Sequence, residues 1–404
     1  MFDNVLYQPA SGMLIKDIDN GTLPNAVLFS GPDSSGKLTC ALELARVLSC
    51  REKGAKKGHW LCSCPSCLRH KALNTPDIII AGPGDCTPEI KASAKTLISA
   101  ASSSATWEKA AVYLFIRSVR KLTLRFSPVL WEDDDKAGKA APYLASIEEL
   151  LEDIDPMSEL MEVEKLKKTT EAIIKQCSAL EENLMYDTVP VNQIRKAAAW
   201  ARMTVPDSKK CIILENAEKM QDSVRNAILK ILEEPPEDAV FILTTARRGA
   251  IIPTILSRVR NYAFVERTKT QQNEIISRIF HVEDNAFDSV NSFLSEFLPV
   301  SYSEIKEISV SYCNSLFSGK RLKLDEIIKS LNGFEPRIIL KLFFEYMLDY
   351  LGSFLREKAD SDKLASRTEK SAEILKAINE AYDNITIYNQ SVISALEALY
   401  ERVL

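Results

Sequence analysis

Ala26-Val27-Leu28-Phe29 is a continuous apolar run of strand length. After the loop Gly31 to Gly36, the apolar residues Leu38, Ala41, Leu42, Ala45 and Leu48 recur at helical spacing. Three more runs of the first kind follow: Ile78-Ile79-Ile80, Cys211-Ile212-Ile213-Leu214 and Val240-Phe241-Ile242-Leu243. Helical stretches lie between or after them. Short strands that are apolar along their whole length and alternate with helices predict an α/β fold with a parallel sheet covered on both faces.

The pattern changes between about residues 85 and 187. Val112 to Ile116 runs into the basic Arg117-Ser118-Val119-Arg120-Lys121 with helical character, and Ile147 to Asp155 and Glu162 to Glu182 also read as helices. This predicts a helical insertion, 85–187, between two halves of the α/β domain, 1–84 and 188–265. Because the α/β pattern resumes afterwards, the insertion is expected to be a peripheral elaboration, which loops tolerate because closure entropy grows slowly with length. Its acidic faces read as solvated helix surface. After about Phe264 the strand signals stop. Ile305 to Phe317, Glu335 to Leu355, Glu369 to Asp383 and Val392 to Leu404 predict helices, the last with Val392, Leu396, Leu399 and Val403 on one face. Two helical segments, 266–315 and 316–404, are expected to complete the chain.

With 404 residues there is room for two or three domains, and 46% hydrophobic with 26% charged residues is ordinary for a soluble globular protein. The formal net charge of -5 argues against strong autonomous binding to DNA, because a protein that neutralises many phosphates alone carries a large basic excess. Any nucleic-acid contact is expected to be local or shared with partners. No apolar run approaches the length of a membrane span, and the first residues lack the basic and apolar regions of a secretory signal, so a cytoplasmic protein without a membrane partner is expected. The nine cysteines are unevenly placed. Cys62, Cys64 and Cys67 cluster with Cys50 just upstream, which points to a metal cluster in a reducing compartment rather than to disulfides.

Gly31-Pro32-Asp33-Ser34-Ser35-Gly36-Lys37 has the spacing of a phosphate-binding loop, set between a strand and a helix. Glycines let backbone N–H groups turn toward an anion, the helix N-terminus favours negative charge, and Lys37 would reach the outer phosphates. The next position, where a Ser or Thr would bind magnesium, is Leu38. Thr39 follows, but one helical step turns its side chain by roughly 100°. The apolar strand Ile212-Ile213-Leu214 ends in Glu215-Asn216. Glu215 can approach a hydrated metal, whereas the Asn216 amide cannot serve as general base for an attacking water. Both departures fall on the hydrolytic side and predict a chain without its own ATPase activity.

The segment Asn226 to Pro236, NAILKILEEPP, precedes the apolar strand with Thr244-Thr245, and Ile255-Leu256-Ser257-Arg258-Val259-Arg260 comes after it. Together with Gly21-Thr22-Leu23-Pro24-Asn25-Ala26 ahead of the phosphate loop, these motifs resemble the AAA+ subunits of the bacterial clamp loader. The resemblance covers about residues 1 to 84 and 188 to 265. It implies an α/β AAA+ domain of P-loop type, a small helical lid over 266–315 and an all-α collar over 316–404. The family's Asp-Glu, the Ser or Thr after its loop lysine and the Cys of its Ser-Arg-Cys motif are absent, with Val259 standing at the Cys position.

Degraded hydrolytic residues beside an intact Ser257-Arg258 resemble the delta-prime branch of the family rather than its gamma/tau motor branch. The resemblance implies a stator in a hetero-oligomeric ring with motor and delta subunits, acting with the sliding clamp and primed DNA as part of the DNA polymerase III holoenzyme. Arg258 would then be an arginine finger acting in trans on a neighbour's ATP, a contribution on the order of 10³-fold or more. A locally paired surface arginine is the alternative for this residue. Gly31, Gly36, Lys37, Thr39, Glu215 and Thr244 are the implied nucleotide-binding positions, with ATP or ADP as ligand; the end of a buried strand is the alternative for Thr244. Cys50, Cys62, Cys64 and Cys67, in about 50–70, match the family's structural zinc module, a closed tetrahedral site. One residue separates Cys62 from Cys64 where the family has two, so His59 or His70 is an alternative ligand. Two other functions stay open: an active motor subunit using Lys37 and Glu215, and a zinc-dependent DNA-binding protein.

Overall fold

A fifth strand joins the four apolar runs in one parallel sheet of order β2-β3-β4-β1-β5. The strands are β1 (Ala26–Ser30), β2 (Ile78–Ala81), β3 (Lys210–Leu214), β4 (Ala239–Thr245) and β5 (Arg260–Ala263). The computed structural model describes residues 1–54, 57–203, 209–283, 287–334, 336, 338–356, 361–386 and 390–403. Every neighbouring pair runs parallel, with Ala26 beside Phe241, Ile78 beside Cys211 and Val27 beside Arg260. β5 was not visible as an apolar run because it lies at the sheet's edge and only Tyr262 in it is buried. Tyr262 donates its hydroxyl to Asp17 Oδ2 at 2.6 Å.

Alternate residues of each strand serve opposite faces, as the period of two requires. Val27, Phe29, Ile78, Ile80, Ile213 and Ile242 pack against the helices Pro9–Asp19 and Lys37–Leu48. Leu28, Ile79, Ile212, Leu214 and Leu243 face the other way, in one core with Ile90, Leu97, Phe115, Phe126 and Ile173. Those last five come from residues 85–187. The expected insertion is indeed helical, with helices Thr87–Ser102, Glu108–Thr123, Ala137–Glu152 and Val163–Leu184. It is not peripheral, however, because it shares the core of one sheet face. Each fully buried Leu, Ile or Phe there is worth about 1.5–3 kcal/mol, so the segment is part of the domain's stability.

The chain forms two compact units, Met1–Phe293 and Leu294–Leu404. The division expected at residue 315 falls inside the helix Tyr302–Ser318 of the second unit. That unit also holds helices Leu324–Ser330, Ile338–Arg356, Ser361–Thr386 and Val392–Val403. Its core includes Tyr312, Leu316, Phe343, Met347, Ile378 and Leu396. Ser301 caps the helix Tyr302–Ser318 and Gly319 ends it in the left-handed region. Glu335 and Leu404, which bound two of the expected helices, lie outside the described residues. Among the described residues no helix is long and apolar enough to cross a membrane.

Candidate functional site

β1 ends at Ser30, and the helix Lys37–Leu48 starts with the loop lysine itself. The turn between them depends on its glycines. Gly31 has φ of 155°, and a Cβ there would stand 2.3 Å from the carbonyl oxygen of Phe264. Gly36, with φ of 94°, forms the left-handed N-cap of the helix. Lys37 Nζ donates to the Gly31 and Pro32 carbonyls at 2.6 and 2.5 Å, so the loop closes round its own lysine. Pro32, Asp33, Ser34, Ser35, Arg267 and Asn291 line a cleft of about 230 Å³ beside the loop. The Ser35 hydroxyl is buried there and has no hydrogen-bond partner among the described residues.

Arg267, which carries no motif signal, braces this loop. It donates to Ser34 O at 2.8 Å and to Leu6 O through Nε and a terminal nitrogen at 3.1 and 3.0 Å. Burial holds its pKa below the ordinary arginine value. Leu38 packs against the core on the sheet face covered by the helices Pro9–Asp19 and Lys37–Leu48, consistent with its apolar chemistry. Thr39 is half-buried on the same helix. Thr244 is buried near the end of β4, in register with Phe29 of β1.

Glu215 follows β3 directly, at the C-terminal edge of the sheet where parallel α/β folds place ligands. Its carboxylate is engaged from the helical segment: Arg125 forms an ion pair with Glu215 Oε2 and donates to Gly82 O at 2.8 Å. Arg125 is buried, and a Cβ at Gly84 would collide with its guanidinium at 2.6 Å. Burial opposes the charge of Arg125, but the Glu215 carboxylate more than offsets this and holds its pKa above the usual value. Asn216 takes a left-handed φ of 54° and donates from Nδ2 to Pro83 O at 3.1 Å. Nearby, Glu181 of the helix Val163–Leu184 accepts from the backbone N–H of Cys86 and Thr87 at 2.6 and 2.9 Å. It thereby receives the N-terminus of the helix Thr87–Ser102, a position that favours negative charge. Desolvation nevertheless pushes the Glu181 carboxyl up to about 7.

Arg258 lies beyond the short helix Pro253–Leu256. One terminal nitrogen donates to Thr254 O at 2.9 Å and the other reaches Glu233 Oε1 at 2.6 Å. The side chain is 32% exposed and that of Glu233 50%. Such a surface pair is worth at most about 1 kcal/mol. Within this chain, then, Arg258 is paired locally, but weakly.

The four cysteines converge. Their sulfurs lie within 4.8 Å of one another, and Cys50 Sγ is 3.8 Å from Cys62 Sγ. Zn–S bonds of about 2.3 Å in a tetrahedron put sulfurs about 3.8 Å apart, so the donor set fits a divalent metal such as zinc. Backbone N–H groups of Gly58, Cys64 and Cys67 point at Cys50, Cys62 and Cys64 Sγ at 3.3, 3.5 and 3.4 Å. Against the upward push of burial, backbone N–H groups and the neighbouring thiols bring Cys64 down to about 7. The single residue between Cys62 and Cys64 does not keep either sulfur out of the group. The alternative ligands are placed otherwise: His59 Nδ1 accepts from Leu61 N at 3.2 Å, and His70 is buried 3.9 Å from Asp77. Burial, with Arg46 and Arg117 adding to it, lowers His70 to about 4 and leaves it neutral.

Arg125, Arg267 and Arg46 (which touches Cys67) are the residues that sequence reading missed. Each reaches the site through a carbonyl, carboxylate or sulfur far along the chain, and the one near partner, Glu43 three residues before Arg46, reads as an ordinary helix pair.

Comparison with known proteins bears on the whole arrangement. The chain matches a gamma/tau subunit of DNA polymerase III from Mycobacterium tuberculosis with 31% identity over 96 residues, covering 24% of this chain and 16% of that one. It matches a delta' subunit of DNA polymerase III from Pseudomonas aeruginosa with 37% identity over 71 residues, covering 17% of this chain and 22% of the relative. The chain thus spans under a quarter of the length of these curated relatives. A crystal structure of a gamma subunit-related protein from Thermotoga maritima aligns with 57% of this chain and 90% of its own, at 19% identity and a TM-score of 0.26. The sequence model of the family described as DNA polymerase III, delta subunit matches residues 7–127 and 151–268, and so runs through much of the helical segment as well as both halves of the sheet. That match spans more than half of the sequence and places the chain in the DNA polymerase III delta-subunit family, among the clamp-loader-related AAA+ subunits.

Proposed function

We propose that the chain is a stator of the delta-prime type, which assembles with motor and delta subunits in a hetero-oligomeric ring and leaves ATP hydrolysis to its neighbours. The observation that carries this reading is the ion pair between the buried Arg125 and the partly buried Glu215. A magnesium-dependent site needs a strand-end carboxylate to hold the hydrated ion, and here a guanidinium already neutralises it. Leu38 and Asn216 support the same reading, one apolar at the metal-ligand position and the other unable to act as general base. ATP or ADP can still meet the phosphate loop through Lys37 and the backbone of Gly31 and Gly36, with Thr39 and Thr244 alongside. Glu215 is not a metal-holding group in this scheme.

Arg258 acts in trans on a motor subunit's ATP during loading of the sliding clamp onto primed DNA. The helices of the second unit, Leu294–Leu404, serve as the collar. The cysteine cluster is a structural zinc module. The 31% match to a gamma/tau subunit and the retained Lys37 favour a second reading, an active motor subunit. ATP turnover by the purified chain separates the two. The stator hydrolyses ATP no faster than its Lys37→Ala variant, whereas steady turnover that disappears in that variant establishes the motor reading.

A further inference from the structure

Arg46 belongs to the helix that begins at the phosphate-loop lysine and sits near its opposite end. It is wholly buried, as is Glu43 one turn earlier. Nε donates to Glu43 Oε2 at 3.0 Å, one terminal nitrogen to His59 O and Cys67 Sγ at 3.2 and 3.4 Å, and the other to Gly58 O at 2.9 Å. A single side chain therefore joins the phosphate-loop helix, the loop ahead of the clustered cysteines and one of the four sulfurs.

The charges around it call for a negative partner. The cationic groups of Arg46, Lys71 and Arg117 stand 5.3, 5.3 and 6.0 Å from the centre of the Trp60 ring. Among the described residues, the buried carboxylate paired with these cations is Glu43, 3.0 Å from Arg46 and 3.9 Å from Arg117, while Asp3, which accepts from the Trp60 N–H at 3.2 Å, is 43% exposed. Glu89, also near Arg117, is paired with Lys121 at 2.6 Å, and Asp77 faces His70 and Thr75. Buried cations in excess of their carboxylates are costly. Four thiolates on one divalent ion carry a net negative charge, placed where this excess lies.

We propose that Arg46 is the counter-charge and positioning group of the cysteine site, orienting Cys67 toward the metal and coupling metal occupancy to the helix that starts at Lys37. Arginine suits this role because its planar fork reaches separated acceptors at once, whereas a lysine ammonium offers its donors from a single point. The role rests on the reading of the cysteines as a zinc module, which fails on its own if wild type binds no zinc, and it is independent of whether the chain is a stator or a motor.

The test uses the full chain. Zinc affinity is measured by chelator competition for wild type, Arg46→Lys and the double variant Glu43→Gln/Arg46→Met, with far-UV circular dichroism to check folding. Partners that orient metal ligands typically contribute 10–100-fold in affinity, so a loss of about tenfold or more is expected in both variants. Cobalt in place of zinc should show altered ligand-field absorption in the lysine variant, a change that a residue remote from the ligands would not cause. Affinity within about twofold of wild type and an unchanged cobalt spectrum overturn the proposal. A wild-type measurement guards against variants that do not fold. On zinc removal, amide exchange should accelerate in the second half of the helix Lys37–Leu48 together with residues 57–71. Acceleration confined to 57–71 overturns the coupling.

Discussion

Arg125 reaches Glu215 from a short 3-10 turn, Leu124–Phe126, held in place by the indole N–H of Trp131 donating to the Arg125 carbonyl at 2.7 Å. Both partners are largely shielded from water, with side chains 4% and 15% exposed. Breaking such a pair on one side leaves a charge without compensation, which costs about 3–5 kcal/mol, whereas an apolar pair of similar volume is often neutral. Arg125→Met should therefore lower the unfolding free energy in urea by about 3 kcal/mol, and Arg125→Met/Glu215→Met should recover most of it. A single variant as stable as wild type would mean that water already compensates Glu215. The phosphate loop, the strand-end acid, the serine-arginine element and the cysteines were legible in the sequence because each is a local spacing. Their partners were not. Arg125 meets Glu215 across 90 positions of chain and Arg267 meets Leu6 across 261, separations at which residue type and spacing carry no register.

The helix Thr87–Ser102 shows the same thing one level up. Its own N-cap, Cys86, makes no side-chain cap hydrogen bond, and the carboxylate of Glu181 on another helix receives its first N–H groups. The free-chain carboxyl titrates near 4.5 and the folded one near 7. A folded pKa above the unfolded one means that the native state binds more protons between those values, so stability falls as pH rises. Glu181 contributes fully below about pH 4.5, and the contribution is lost as pH rises through about 7. Relative to Glu181→Gln, wild type should lose on the order of 2 kcal/mol between pH 5 and pH 8. Parallel pH dependence of the two proteins in urea unfolding would show that hydrogen bonding fully offsets desolvation. The strands and helices were themselves readable wherever apolar periodicity was strong. β5 was missed because an edge strand needs few apolar residues, and the role of 85–187 was misjudged because periodicity identifies an apolar face without saying what it covers.

At the scale of the whole molecule, the proposed function comes down to one guanidinium that leaves its own chain to act on another. Arg258 rests on Glu233 and the Thr254 carbonyl at a half-exposed surface, so releasing it costs little compared with the transition-state charge it would meet across an interface. Arg258→Ala should leave folding and ring assembly unchanged, since surface substitutions usually shift stability by no more than about 0.5 kcal/mol. The assembled complex should still lose ATP turnover in the presence of clamp and primed DNA. The loss should be partial, because other sites in a ring keep arginines from other subunits. Arg258→Lys should rescue poorly, as an ammonium lacks the planar fork that meets phosphate oxygens. Glu233→Gln removes the competing carboxylate without touching the guanidinium, so turnover should be equal to or above that of wild type. If Arg258→Ala complexes assemble normally and turn over ATP at the wild-type rate, the arginine does no more than brace its own surface, and the trans-acting role is lost.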